Sequence, residues 1–357
     1  MRIYRLGMRI YGLIEPPADE MLSFLNVVVL ALASATAVLA SRTSPPKGAL
    51  VVGKGGQYET IQAAVDALQP TEKEQTIFIY PGIYHEQVSI KSLPGPLKIY
   101  GYTSHRGSYA ANQVTIVAGH SQKDKRTNDL TATLRVATSH FRLHNVNVIN
   151  DFGKGSQALA LSARNTDQGY YACSFIGYQD TVLSQVGVQL FHRCHIQGAT
   201  DFIFGQDGQT WFEKCTISVL PAKTGYVTAS GRASDNSPSY YVFNGTTIKA
   251  APGTEVKPGS YFLGRPWDSY ARVAFQYSRM EDVVNGAGWH VWKESDERIG
   301  HVSFGEFRNT GPGSYGKRVW FAKNLTKALE MDDILGEHHE SAYYFDSSSM
   351  SSDADSD

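Results

Sequence analysis

The stretch Tyr170-Tyr-Ala-Cys-Ser-Phe-Ile-Gly-Tyr-Gln-Asp180 returns as Phe191-His-Arg-Cys-His-Ile-Gln-Gly-Ala-Thr-Asp201, with aromatic, cysteine, large apolar, glycine and aspartate positions each repeated 21 residues on. A third copy, Phe212-Glu-Lys-Cys-Thr-Ile217, keeps the first part of the pattern and drops the aspartate. Self-similarity at this period marks a solenoid. Within each copy large apolar residues alternate with polar ones, and Gly, Asp and Gln bound the runs, which reads as short strands joined by turns. The expected unit is therefore a β-coil, and the expected fold is all-β. Equivalent residues of successive hydrogen-bonded coils lie about 4.8 Å apart, so Asp180 and Asp201 should stack as neighbours on one face.

Two carboxylates that close cannot both ionise easily, so one is pushed toward its protonated form. That asymmetry suits a site in which one carboxylate attacks and the other carries a proton. The cysteine and aromatic ladders are read as core filling. The aspartates fit that role poorly, because Asp is seldom fully buried unless paired; a solvated aspartate ladder on a turn is the competing reading.

The 357 residues carry 33 Lys and Arg against 34 Asp and Glu, with no basic stripe that would announce nucleic acid. Twenty Tyr, 16 Phe and 33 Gly suit a β-rich chain with many turns and a surface fit for sugars. One amphipathic helix stands out, Tyr58 to Leu68, with Ile61, Ala64, Val65 and Leu68 on one face, and it is expected to cap the first coil. From Met21 an apolar run ends in small residues at Ala40, the pattern of a cleaved secretory signal and short for a membrane span. Met21 is read as the initiator, with residues 1–20 an upstream extension, 21–40 the signal, 41–47 a lead-in, 48–345 a single β-helix domain, and 346–357 an acidic disordered tail. Three cysteines cannot all pair, and a buried thiol ladder is expected rather than a disulfide framework. Asn244-Gly-Thr246 and Asn324-Leu-Thr326 are glycosylation sequons.

Five further segments, Gly82-Ile-Tyr-His-Glu86, Gln157-Ala-Leu-Ala-Leu161, Gly177-Tyr-Gln-Asp-Thr181, Asp201-Phe-Ile-Phe-Gly205 and Leu263-Gly-Arg-Pro-Trp267, resemble in content and order the signature segments of the pectin methylesterases (pectinesterases). The resemblance spans residues 48–321. It implies a right-handed parallel β-helix and hydrolysis of the C6 methyl ester of galacturonate units in pectin. Position by position, it implies Asp201 as nucleophile, Asp180 as general acid and base, and Gln157 and Gln179 as amides that stabilise the oxyanion. Arg265 would hold the nucleophile, and Trp267 the sugar.

Each implied role has a physical basis. A guanidinium keeps a neighbouring carboxylate charged, an ionised Asp can form an acyl-enzyme, and neutral amides suit a developing oxyanion. No metal or other cofactor is required. Trp267 follows the stiff Pro266 and is expected to face a sugar ring. Trp289 is read as a subsite residue and Trp292 as packing; Tyr178 and Phe202 as an apolar wall for the methyl group; Tyr84 as lining the distal cleft; Glu86 as structural. His192 and His195 are read as ordinary strand positions, since no further ligands stand at metal spacing. The expected product is a secreted monomer acting on methyl-esterified pectin, of the short form without an inhibitory pro-region, and off the membrane once the signal is cleaved.

Two carboxylates about 5 Å apart also suit a retaining glycoside hydrolase, and Asn165-Thr-Asp167 resembles a polygalacturonase motif, but that family's Gly-His-Gly and Arg-Ile-Lys are missing. A pectate lyase would need an acidic calcium cluster and a basic proton acceptor. A catalytically silent pectin-binding solenoid is the remaining alternative, and the full set Gln157, Gln179, Asp180, Asp201 and Arg265 argues against it.

Overall fold

Among the described residues, successive coils contribute strands to three parallel sheets of eleven, eight and seven strands, the end coils to fewer than all three, and sequence-successive coils are hydrogen-bonded neighbours. This is a parallel β-helix. The computed structural model describes residues 41–124 and 126–350; the expected signal and the residues upstream of it lie outside the described residues.

The 21-residue echo is preserved in space. Gln168–Tyr171 pairs with the following coil at an offset of 21 residues (Tyr170 opposite Phe191), Ser174–Ile176 likewise (Phe175 opposite Ile196), and Val182 stands opposite Ile203. Gln179 bridges Thr200 directly before the two aspartates, so no bulge intervenes and Asp180 and Asp201 occupy the same place on consecutive coils.

Inward-facing residues of the eleven-stranded sheet form one column. Tyr170, Phe191, Phe212, Phe243 and Phe275 stack with ring centroids 4.5, 4.9, 4.3 and 4.3 Å apart, the rings of the last two pairs almost parallel. Offset stacking at this spacing adds to the burial energy of each ring. Beside it run Cys173, Cys194 and Cys215, all free and buried. Each donates its thiol to a carbonyl of the preceding coil, at Leu143, Tyr170 and Phe191, over 3.3 to 3.5 Å.

Corners are made by left-handed residues. Asn145, Ala172, Arg193, Lys214 and Tyr277 have φ between 48° and 56°, and Gly245, with φ 60°, holds the same place one coil above Lys214. Each such corner separates two strands of one coil: Phe141–His144 and Asn147–Asn150 flank Asn145, and Tyr240–Asn244 and Thr247–Ala250 flank Gly245.

The capping helix, Ile61–Asp66, is shorter than its apolar pattern, and side chains fix its start. Thr60 accepts from the Ala63 N–H, and both carboxylate oxygens of Glu86 accept from the N–H groups of Ile61 and Gln62 at 2.8 Å. Glu86 thus satisfies donors that a helix start leaves open. At the other end of the chain Met331–Leu335 packs Ile334 and Leu335 with Leu190, Trp211 and Val242 on the outer face of the eleven-stranded sheet. The acidic tail begins ordered: the Asp346 N–H donates to the Tyr171 hydroxyl at 2.7 Å, Arg142 donates to the carbonyls of Tyr343 and Phe345, and Ser347–Met350 forms a short helix.

Candidate active site

Asp180 and Asp201 lie at the corners that lead into the seven-stranded sheet, and both adopt the left-handed conformation, with φ of 62° and 49°. Aspartate tolerates this region better than most residues. Each is only 7 % exposed, at the floor of a cleft of about 260 Å³ lined also by Asn128, Gln157, Gln179, Phe204, Ala229, Arg265, Trp267 and Trp292.

One guanidinium breaks the symmetry of the pair. Arg265 donates Nε–H to Asp201 Oδ1 at 2.9 Å and Nη2–H to Oδ2 at 2.6 Å, a bidentate clamp. Arg265 begins far from Asp201 in sequence, on Tyr261–Pro266, where it stands opposite Ala229, which in turn stands opposite Phe204. The small Ala229 leaves room for the arginine to lie across the cleft. Tyr226 and Trp292 stack on the guanidinium, with ring centroids 4.1 and 4.3 Å from Cζ, and Nη1 donates to the Trp292 carbonyl at 3.2 Å. Cation–π contacts on two rings and three hydrogen bonds fix the position of the positive charge.

Burial raises Asp180 well above the ordinary carboxylate range, and the charge of Asp201 raises it further, while Arg265 only partly opposes this. Burial also raises Asp201, but the hydrogen bonds and charge of Arg265 pull it back. Asp180 therefore holds its proton more tightly, and Asp201 is the more acidic of the two.

Gln157 and Gln179 come from successive coils, joined where the Ala158 N–H donates to the Gln179 carbonyl, and both are half-buried in the lining. Trp267 is half-buried over Phe204, at 6.0 Å between centroids. A Cβ on Gly231 would lie 2.5 Å from its ring, so glycine there leaves the indole its room.

Several expected site residues sit elsewhere. Trp289 is fully buried, stacked on Phe304 at 4.3 Å, with Nε1–H donated to Glu306; it is core. Trp292, read as packing, is the one in the cleft. Phe202 is also fully buried, packed so tightly on Gly198 that a Cβ there would lie 2.3 Å from it, and cannot touch a methyl group. Tyr178 turns to donate to the Pro221 carbonyl at 3.1 Å and is not among the cleft-lining residues. Tyr84 donates to the Tyr80 carbonyl at 2.8 Å and packs on the core near Gly53, at the capped end.

The apolar side chains that line the cleft are Phe204, Ala229, Trp267 and Trp292. Phe204 was legible, since Leu183 and Phe204 repeat the 21-residue spacing three residues after each aspartate. Tyr226 was not: it stands above Asp201 at an offset of 25, because the coil has lengthened.

The family model named pectinesterase matches residues 49–333. The chain belongs to the pectinesterase family. It is 46 % identical to a pectinesterase of Aspergillus aculeatus over 88 % of this chain and 97 % of that one, and 45 % identical to one of Aspergillus niger over 87 % and 95 %. The pectin methylesterase structure from Aspergillus niger superposes with a TM-score of 0.81 at 36 % identity, covering 86 % of this chain and 99 % of that one, and the carrot enzyme with 0.74 at 27 %, covering 82 % and 95 %. A pectinesterase needs an attacking group, a proton carrier and an anion-stabilising pocket. The cleft of this pectinesterase contains groups of each kind.

Proposed function

We propose that this pectinesterase hydrolyses the C6 methyl esters of galacturonate units in pectin, with Asp201 as the nucleophile and Asp180 as the proton carrier. The observation that carries the assignment is the bidentate clamp of Arg265 on Asp201 alone. Asp201 attacks the ester carbonyl carbon, and the oxygen that gains charge is met by the side-chain amides of Gln157 and Gln179. As the C6–O bond to the methoxy group breaks, Asp180 delivers its proton and methanol leaves. Asp180, now ionised, takes a proton from water as the water oxygen attacks the acyl-enzyme; the new carboxylate departs and Asp201 is regenerated. Stacking on Trp267 and contact with Phe204 and Trp292 would hold the sugar ring and its methyl group.

The site lies on one continuous domain, 48–345, read as a monomer. Pectin as substrate and the signal pattern ending at Ala40 together support a secreted, extracellular enzyme. Among the described residues no helix is long and apolar enough to cross a membrane.

The test is methanol release from highly methylated pectin. Asp201→Ala should abolish release while the melting curve stays cooperative, and turnover near the parent rate would overturn the assignment of the nucleophile. Methanol release without shortening of the polymer separates this reading from a glycosidase or lyase.

A further inference from the structure

The inward column that carries Phe275 does not end on an aromatic residue. It continues to Glu306 and ends at Asn324, on the last strand of the eleven-stranded sheet, Ala322–Asn324. Glu306 closes the core with a bidentate bond from Arg318 at 2.9 Å. Asn324 stands one step beyond it, exposed, where a further coil would have continued the solenoid. A terminal repeat needs a polar outer face, and an edge strand invites pairing with another chain. Apolar surface is present at this end as well, since Trp320 is 82 % exposed and Tyr315 73 %.

Asn324 opens one of the two sequons, and only this one is presentable. Thr326 is exposed as well, while Leu325 between them packs above Gly305 and against the outer cluster. At the other sequon the Asn244 amide donates to Glu213 at 2.8 Å and accepts from Gln276 at 2.9 Å, and Thr246 is fully buried with its hydroxyl bonded to Ser278. A glycan on Asn244 would break that ladder.

We infer that Asn324 is an N-glycosylation site and that its glycan covers the open end of the solenoid, keeping one chain from stacking on the next. In the transfer, Asn324 Nδ2 bonds to the anomeric carbon of a lipid-pyrophosphate oligosaccharide; the carbon–oxygen bond to the pyrophosphate breaks with its electron pair, and Nδ2 loses one proton. The inference rests on the secretion proposed above.

The test is expression of the full chain in a eukaryotic secretory host, with peptide mapping before and after peptide-N-glycosidase digestion, and sedimentation of Asn324→Gln and Thr326→Ala beside the parent. The expected result is one glycan, on the Asn324 peptide and not the Asn244 peptide, lost in both variants. Methanol release per enzyme should be unchanged, and concentration-dependent association should appear in the variants. A bare Asn324 in protein recovered from the medium, or a glycan on Asn244 of active protein, overturns the site. Variants that stay monomeric at every concentration overturn the capping role. Chain retained in the cell with both sequons bare overturns the secretion reading and this inference with it.

Discussion

Asp180 and Asp201 share a backbone conformation, a register and a degree of burial, so their chemical difference rests on Arg265. The pair carries a stability cost that the reaction requires. Burial and the charge of Asp201 raise Asp180 well above the ordinary carboxylate range, so as pH rises through that ordinary range the unfolded chain ionises there while the folded chain does not, and folding stability falls until the raised folded pKa is passed. Asparagine has no such loss. Asp180→Asn should therefore melt with the parent near pH 3 to 4 and increasingly above it as pH rises, read from thermal melts across a pH series, while methanol release drops by about 10²- to 10⁴-fold with the loss of the proton carrier.

The two tryptophans of Gly-Trp-His-Val-Trp292 give a second contrast. Trp289→Ala should cost about 3–5 kcal/mol in denaturant unfolding because it empties a core position. Trp292→Ala should leave the unfolding free energy within about 1 kcal/mol of the parent, yet lower kcat/KM by roughly tenfold as the Arg265 guanidinium loses a stacking face. Sequence alone could not say which of the two faces inward, since that depends on which side of the coil the segment joins.

At the scale of elements, legibility followed regularity. Where coils repeat every 21 residues, strand, ladder and aspartate positions could be read from spacing alone, because one coil predicts the next. Beyond Glu213 the eleven-stranded sheet is joined at offsets of 31 and 32 residues, so Tyr226, Ala229 and the partner of Arg265 could not be aligned by counting. Corners were hidden for another reason: Ala172, Arg193 and Lys214 adopt a conformation that their residue types do not announce, and tertiary pairing imposes it. The helix end was legible in its apolar stripe but not in its start, which depends on Glu86, 25 residues away from Ile61. Glu86→Ala should destabilise the protein by about 1–2 kcal/mol in denaturant unfolding, without changing kcat, since it removes a helix cap and touches no part of the cleft.

For the whole molecule, the main arrangement is a continuous core wrapped by three sheets, with its first coil covered by a helix and its long outer face covered by the returning C-terminal segment. The chain closes on itself there: Arg142, one coil before the site, and Tyr171, on the coil that carries Asp180, hold residues 343–346. The three thiols run through the middle of this core. Burial raises Cys173 and Cys194 well above the usual thiol range, so neither supplies a thiolate while the coils remain closed. Labelling by a thiol reagent in native buffer should proceed no faster than the coils open, and should become complete for all three once denaturant passes the unfolding midpoint. Placed on three successive coils, the free thiols would report that opening coil by coil, and since none of the three is in a disulfide the coils are held closed without one.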